Sequence, residues 1–356
     1  MTAVLIIIMV LAISVGAFII YTMNQINRVQ KMTVSEMHAF TTKKKPDAAI
    51  SVGVIQNGET RCAMYGLNGA ELPPEGHIYE IGSVTKTFTA ALLYKAISEG
   101  RASLDDKIDK YLDLPVKRYY PTLRRLLTHT SGLKSNYFEI KMLKNYFRGK
   151  NFFNGYKTAQ LIERIGKVEL ENKDYKFSYS NSGAAVVGAV LAKIYGESYT
   201  TLINRFISSE LGLRNTMVAD ASGRLGKYWA WSDDDAYIPA GALTSTMEDM
   251  LKYAMLQLRG VPEYLRSAQE KLADINVKSA TNAKLGIYMS SAGAAWIRDA
   301  ENNIIWHNGG TGSYNCYFGF DPDRQIAVTV LSNLSYGYRV PATVIGVRML
   351  TDMQKG

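Results

Sequence analysis

The chain has 356 residues, 47% hydrophobic and 21% charged, a composition that excludes a disordered or repetitive protein and suits one large domain or two ordinary ones. A net charge of +9 is compatible with an anionic membrane or an acidic wall polymer, whereas the scattered basic residues, without aromatic interleaving, argue against nucleic acid. Two cysteines, Cys62 and Cys316, make no disulfide framework or metal cluster and read as small buried hydrophobes, with a pairing between them left open.

In chain order, Val4 to Tyr21 carries no charge and is long enough to cross a bilayer as a helix. Only Val15-Gly16-Ala17 resembles a cleavage site, so residues 1–22 are read as an uncleaved anchor in preference to a signal peptide. Arg28, Lys31 and Lys43 to Lys45 follow it, a flank that by itself favours a cytoplasmic domain. Residues 23–45 read as a polar tether, and one folded domain is expected over 46–354. Two β-rich runs around Asn57-Gly58 predict a hairpin. A helix is predicted from Ser83, with Val84, Phe88, Ala91 and Leu92 at helical spacing and Gly100 ending it. Helical patterning fills about 104–284. Three strands follow, in "AAWIRDAENNIIWHNGG", "YNCYFGFDPD" and "QIAVTVLSN", and a last helix runs from about Pro341 to Met353. The economical arrangement is α+β: one antiparallel sheet built from both chain ends, flanked by helices, with an inserted helical lobe and a cleft between the two.

Three short motifs carry chemistry. Ser83-Val84-Thr85-Lys86 opens the first strong helix, and its spacing puts the hydroxyl and the amine on one face. A serine needs a base, and a lysine serves only if desolvation and the helix N-terminus lower its pKa. The pair is equally readable as an N-cap serine beside a solvated lysine. A second Ser-x-x-Lys, Ser131 to Lys134, lies in a turn and lacks a helix to align it. Tyr179-Ser180-Asn181 precedes a helix rich in small residues; a phenol can relay a proton and an amide can orient a carbonyl, while Asn181 or Ser182 could simply cap the helix. His307-Asn308-Gly309-Gly310 ends a β-rich run, where glycines make sense if another backbone comes close. The aromatic and acidic stretch from Leu225 to Gly241 is either a pocket wall or a surface loop.

Taken together and in order, these motifs resemble the serine hydrolases of the class C β-lactamase and D,D-peptidase (penicillin-binding-protein-like) family. "LLTHTSGL" and "IPAGALTSTMEDMLKY" resemble framing segments of that family, and the likeness covers about Asp47 to Val347. It implies a β-lactamase/transpeptidase-like fold without metal or cofactor. It implies Ser83 as acylated nucleophile, Lys86 as its base and Tyr179 as proton relay to the leaving group. Asn181, His307, Gly309 and Gly310 would bind substrate, with the N–H groups of Ser83 and Gly310 forming the oxyanion hole, each worth about 3–4 kcal/mol. His129 is read as structural. Histidine at 307 looks more like D,D-peptidases and D-amino-acid peptidases than β-lactamases, and there it would serve as a titratable partner for a substrate carboxylate. The expected activity is hydrolysis of D-alanyl peptides, amides or esters of the cell wall by an enzyme tethered outside the cytoplasm. The alternatives are a β-lactamase, a general esterase, or a slowly acylating penicillin-binding sensor.

Overall fold

The two ends of the folded chain meet in one sheet. A computed structural model describes residues 24–73 and 76–356. Strands β1 (Ile50–Gln56) and β2 (Glu59–Tyr65) form the expected hairpin. Asn57 and Gly58 both take positive φ, +55° and +77°, which the tight turn demands. After β3 (Glu71–Leu72) the chain leaves the sheet, passes through β4 (Tyr79–Glu80), and returns through β7 (Ala273–Val277), β8 (Met289–Ala292), β9 (Ile297–Asp299), β10 (Ile304–Gly310), β11 (Asn315–Asp321) and β12 (Ile326–Ser332). The resulting antiparallel order is β3-β2-β1-β12-β11-β10-β9-β8-β7. Its closure is the β1–β12 pair, with Ile50 opposite Ser332 and Ile55 opposite Ala327.

Every residue of β11 and β12 is buried, so these strands are covered on both faces. Alternate side chains serve two cores. Phe318, Phe320 and Leu331 pack toward helices α2 (Thr85–Ser98) and α5 (Met247–Arg259), while Tyr317, Val328 and Val330 pack toward α6 (Ala342–Met353). Helices α3 (Ile140–Phe147) and α4 (Asn181–Tyr195) belong to the lobe beyond α2. There α4 buries a continuous run from Ser182 to Leu191, the small residues letting it lie close against α2.

Several expectations are corrected. The stretch read as a tether contains helix α1 (Val34–Thr42), opened by a capping box in which Glu36 N–H donates to Thr33 Oγ1 (3.2 Å) and Thr33 N–H donates to Glu36 Oε2 (2.8 Å). Met37 of α1 is fully buried beside α6, and Arg348 donates to the carbonyls of Met32 and Gln30. Arg28 lies 4.4 Å over the Phe40 ring, so this part of the basic flank is surface of the folded domain. The predicted helical lobe also contains strands: β5 (Met217–Val218) and β6 (Leu243–Ser245) join β4 in a small sheet, and β7 belongs to the main one. Helix α5 packs on β1 and β12, outside the lobe. A helical period looks the same whichever layer the helix covers, and strands of two or three residues leave no period to read. The first of the three predicted strands is two, β9 and β10, parted by a turn in which Asn303 takes φ +53°. The cysteines do not pair: Cys62 is exposed and Cys316 buried. The apolar segment Val4–Tyr21 lies outside the described residues, among which no helix is long and apolar enough to cross a membrane.

Candidate active site

A short 3₁₀ turn, Gly82–Val84, feeds directly into α2 and presents Ser83 at the helix start. One turn later Lys86 is buried, with Nζ 3.0 Å from Ser83 Oγ. Nζ also reaches Asn181 Oδ1 at 2.8 Å and the carbonyl oxygen of Ala240 at 2.7 Å. These partners are neutral oxygens, and burial holds the Lys86 amine well below the usual lysine range. A neutral amine has two N–H groups and one lone pair. Asn181 and Ala240 accept the two hydrogens, which leaves the lone pair for the Ser83 hydroxyl. The arrangement is that of a general base in contact with its nucleophile.

Tyr179 closes the other side. Its ring lies 4.9 Å from Lys86 Nζ, and its phenol is hydrogen-bonded to Ser83. Burial raises its pKa, so it stays a proton-bearing phenol. Asn181 is the first residue of α4; the cap is neither Asn181 nor Ser182 but Ser180, whose Oγ accepts from Gly183 N–H at 3.0 Å. That leaves the Asn181 amide free for the site, and its Nδ2 donates to Asn136 Oδ1 at 3.0 Å.

His129 holds this loop in place. In the left-handed region at φ +58°, its carbonyl accepts from Ser178 N–H (2.9 Å), its Nδ1 accepts from Ser180 N–H (3.1 Å), and its ring lies 4.6 Å from that of Tyr179. An accepting Nδ1 requires the neutral ring, and burial lowers its pKa well below the ordinary histidine value. The structural reading of His129 is therefore what the geometry shows.

Strand β10 brings the third motif. His307 lies beside Tyr179, ring centroids 6.1 Å apart, but it is buried and desolvation lowers its pKa to about 3. The expected titratable cation is thus a neutral imidazole. Its Nδ1–H donates to the Asn308 carbonyl at 2.6 Å, leaving Nε2 without a partner. A cavity of about 360 Å³ beside it is lined by Tyr179, Asn282, Asn308, Tyr336 and Thr343 among others, with no lysine or arginine in its wall. This burial weighs against the carboxylate-binding role expected for His307.

Gly309 and Gly82 explain the glycines. A Cβ on Gly309 would sit 2.0 Å from the Ile81 carbonyl oxygen, and one on Gly82, at φ +48°, would sit 2.6 Å from Gly310 N. Strand and nucleophile turn therefore touch backbone to backbone. Thr311 N–H donates to the Tyr314 carbonyl, and Gly310 faces Asn315 in the adjacent, non-bonded position of the ladder. Its N–H consequently points away from β11, toward the Ser83 turn. Ser83 N–H and Gly310 N–H are positioned as a donor pair.

Other contributors were not visible in sequence. The Ala240 carbonyl could belong to any residue type, and only the Ile238–Gly241 helix carrying it showed in the Pro-Ala-Gly stretch. Buried Glu80 accepts from Trp229 N–H and from the Thr311 hydroxyl, tying the aromatic loop to the end of β10, and burial raises its carboxyl pKa. The 225–241 stretch is a pocket wall: Trp229 faces Gly312, and Tyr237 is buried against Phe153 at 4.4 Å.

The family model described as Beta-lactamase matches residues 41–347. The chain belongs to the β-lactamase family. The Ser83–Lys86–Tyr179 cluster lies within the matched span. Among relatives, Protein flp of Staphylococcus aureus (strain N315) is 24% identical over 291 residues, 75% of this chain and 54% of that protein. Beta-lactamase-like protein 2 of Dictyostelium discoideum is 28% identical over 256 residues, 63% of this chain and 45% of that protein. The chain thus spans about half the length of the curated relatives it matches. A solved β-lactamase/D-alanine carboxypeptidase from Yersinia pestis, complexed with citrate, superposes with a TM-score of 0.71 at 19% identity, covering 91% of this chain and 99% of that one. That likeness establishes the fold.

Proposed function

We propose that the protein hydrolyses D-alanyl amides or esters through an acyl-enzyme on Ser83, as a membrane-tethered enzyme acting outside the cytoplasm. The observation that carries the chemistry is the desolvated Lys86 amine within hydrogen-bond reach of Ser83 Oγ, Asn181 Oδ1 and the Ala240 carbonyl; in its neutral form the last two accept its hydrogens and its lone pair faces Ser83 Oγ. Ser83 attacks the substrate carbonyl as Lys86 takes the hydroxyl proton. The oxyanion forms against Ser83 N–H and Gly310 N–H. When the tetrahedral intermediate collapses, the carbonyl–leaving-group bond breaks and Tyr179 O–H protonates the departing nitrogen or oxygen. The Lys86 ammonium then returns its proton to the phenolate, which restores both groups. Water repeats the sequence on the ester of Ser83, giving up one proton to Lys86 and releasing the acid.

Neutral His307 and a cavity wall without lysine or arginine favour a substrate whose group on that side is uncharged. A partly enclosed cavity without a cation disfavours an unpaired carboxylate by desolvation. Among the D-alanyl substrates, amides and esters fit better than a peptide ending in a free acid. The uncharged Val4–Tyr21 segment supports the tether.

A matched pair tests the reading: one D-alanyl-D-alanine peptide as the free acid and as its C-terminal amide. The amide is expected to have the higher kcat/KM by about tenfold or more, the scale of one poorly accommodated charge. Preference for the free acid would contradict the substrate assignment, and turnover of neither, with a long-lived penicillin adduct, would point to a sensor.

A further inference from the structure

Helix α3 is built the wrong way round for a lobe helix. It buries only Met142 and Asn145, the latter anchored by Nδ2 donating to the Asn154 carbonyl at 2.9 Å. Its larger apolar side chains face solvent: Ile140 is 70% exposed, Leu143 41%, Tyr146 67% and Phe147 77%, with Phe138 just before it at 55%. Ile140, Leu143 and Phe147 are spaced by three and four residues and so form one outward stripe. Scattered exposed hydrophobics are ordinary; a contiguous stripe of them is not.

The stripe is bordered by charge of one sign. Between Lys134 and Lys150 the sequence has five basic residues, Lys134, Lys141, Lys144, Arg148 and Lys150, against the single acid Glu139. All five are exposed. Aromatic and aliphatic residues on one face with lysine and arginine alongside are the composition of a helix that lies in a membrane interface. A second copy of the same face would bring the five cations against their equals, which disfavours self-association there. The uncharged N-terminal segment, far away in sequence, independently suits a chain held at a bilayer.

We propose that the segment Phe138–Lys150 docks the catalytic domain on an anionic lipid bilayer, with Ile140, Leu143 and Phe147 entering the acyl boundary and the basic residues meeting the headgroups. The patch adjoins the active site at two points. Asn136, two residues before Phe138, holds Asn181, and a cleft of about 590 Å³ is lined by Tyr146 and Lys150 of the patch together with Trp229 and Gly312, the latter two residues after Gly310. Docking therefore sets the mouth of the site against the membrane surface, where lipid-linked or headgroup-proximal substrates lie.

The test uses the full chain in nanodiscs, with Cys62→Ser removing the exposed thiol and an environment-sensitive fluorophore on Leu143→Cys; Cys316 is buried and does not compete. In discs containing phosphatidylglycerol the probe is expected to shift to the blue and to be quenched by doxyl-labelled lipid. Lys144→Glu/Arg148→Glu should reduce the docked fraction by about tenfold while leaving hydrolysis of a soluble ester intact. A probe that stays in water in anionic discs overturns the proposal. So does shielding that is equal in phosphatidylcholine discs and indifferent to the charge reversal, or shielding that follows protein concentration without lipid.

Discussion

At the scale of single residues, the environment of each titratable group decides its role. Lys86 is desolvated among neutral acceptors, which holds its pKa well below the ordinary lysine range and favours the role of base. Arginine keeps the cation but cannot surrender its proton, so Lys86→Arg is expected to slow acylation by about 10²-fold or more, read by stopped-flow with a chromogenic ester. An unchanged rate in that variant would remove Lys86 from the base role. His307 contributes the opposite lesson. With its pKa pushed down to about 3, it is neutral throughout the working range, and kcat/KM between pH 5 and 8 should show no limb from its titration. A limb near pH 6.5 that vanishes in His307→Gln would mean the ring is solvated and charged. The residue type and the spacing of these groups were legible in the sequence; the protonation of His307 was not, because burial on β10 depends on the cover supplied by distant loops.

At the scale of elements, the approach of β10 to the nucleophile turn is backbone against backbone, and glycine is what permits it. Gly309→Ala places a Cβ 2.0 Å from the Ile81 carbonyl and must push the strand outward. Because Gly310 N–H travels with the strand, acylation should fall by about 10²–10³-fold, the cost of one oxyanion donor. Near-normal acylation with full stability would show that the strand can shift without losing the donor. The motif His-Asn-Gly-Gly announced a close backbone approach but not its partner, since Ile81 belongs to a distant part of the sequence. Helix α1 is a second case. Its capping box, Thr33 to Glu36, was present in the sequence, yet its apolar stripe is too short to stand out from a polar tether. Thr33→Ala is expected to destabilise the helix by about 1 kcal/mol, measurable as faster amide exchange over Val34–Thr42; unchanged exchange would mean that docking of Met37 alone sets its stability.

Across the whole molecule, three histidines are buried neutral: His38 in α1, lowered to about 4, His307 in β10, lowered to about 3, and His129, held well below the ordinary histidine value, all chiefly by desolvation. In the unfolded chain each binds a proton near pH 6.5, while in the folded chain it does not until the lowered value is reached. Folding stability is therefore complete above pH 6.5 and falls as the pH drops toward 4, at about 1.4 kcal/mol per pH unit for each histidine. Denaturant melts from pH 7 to 5 should show this slope, reduced in His38→Gln; a flat profile would contradict their burial. The fold class, the closure of both chain ends in one sheet and the three motifs followed from the order of patterns along the chain. The lobe boundary did not, because helix α5 covers the sheet with the same period it would have used in the lobe. What the assembled molecule does is bring Ser83, Lys86 and Tyr179 from two helix starts to one point. The most direct measurement of that claim is mass-spectrometric mapping of a fluorophosphonate adduct on the full chain. The account predicts a single adduct on Ser83, abolished in Ser83→Ala and strongly slowed in Lys86→Arg. An adduct on Ser131, or labelling that survives Ser83→Ala, would contradict it.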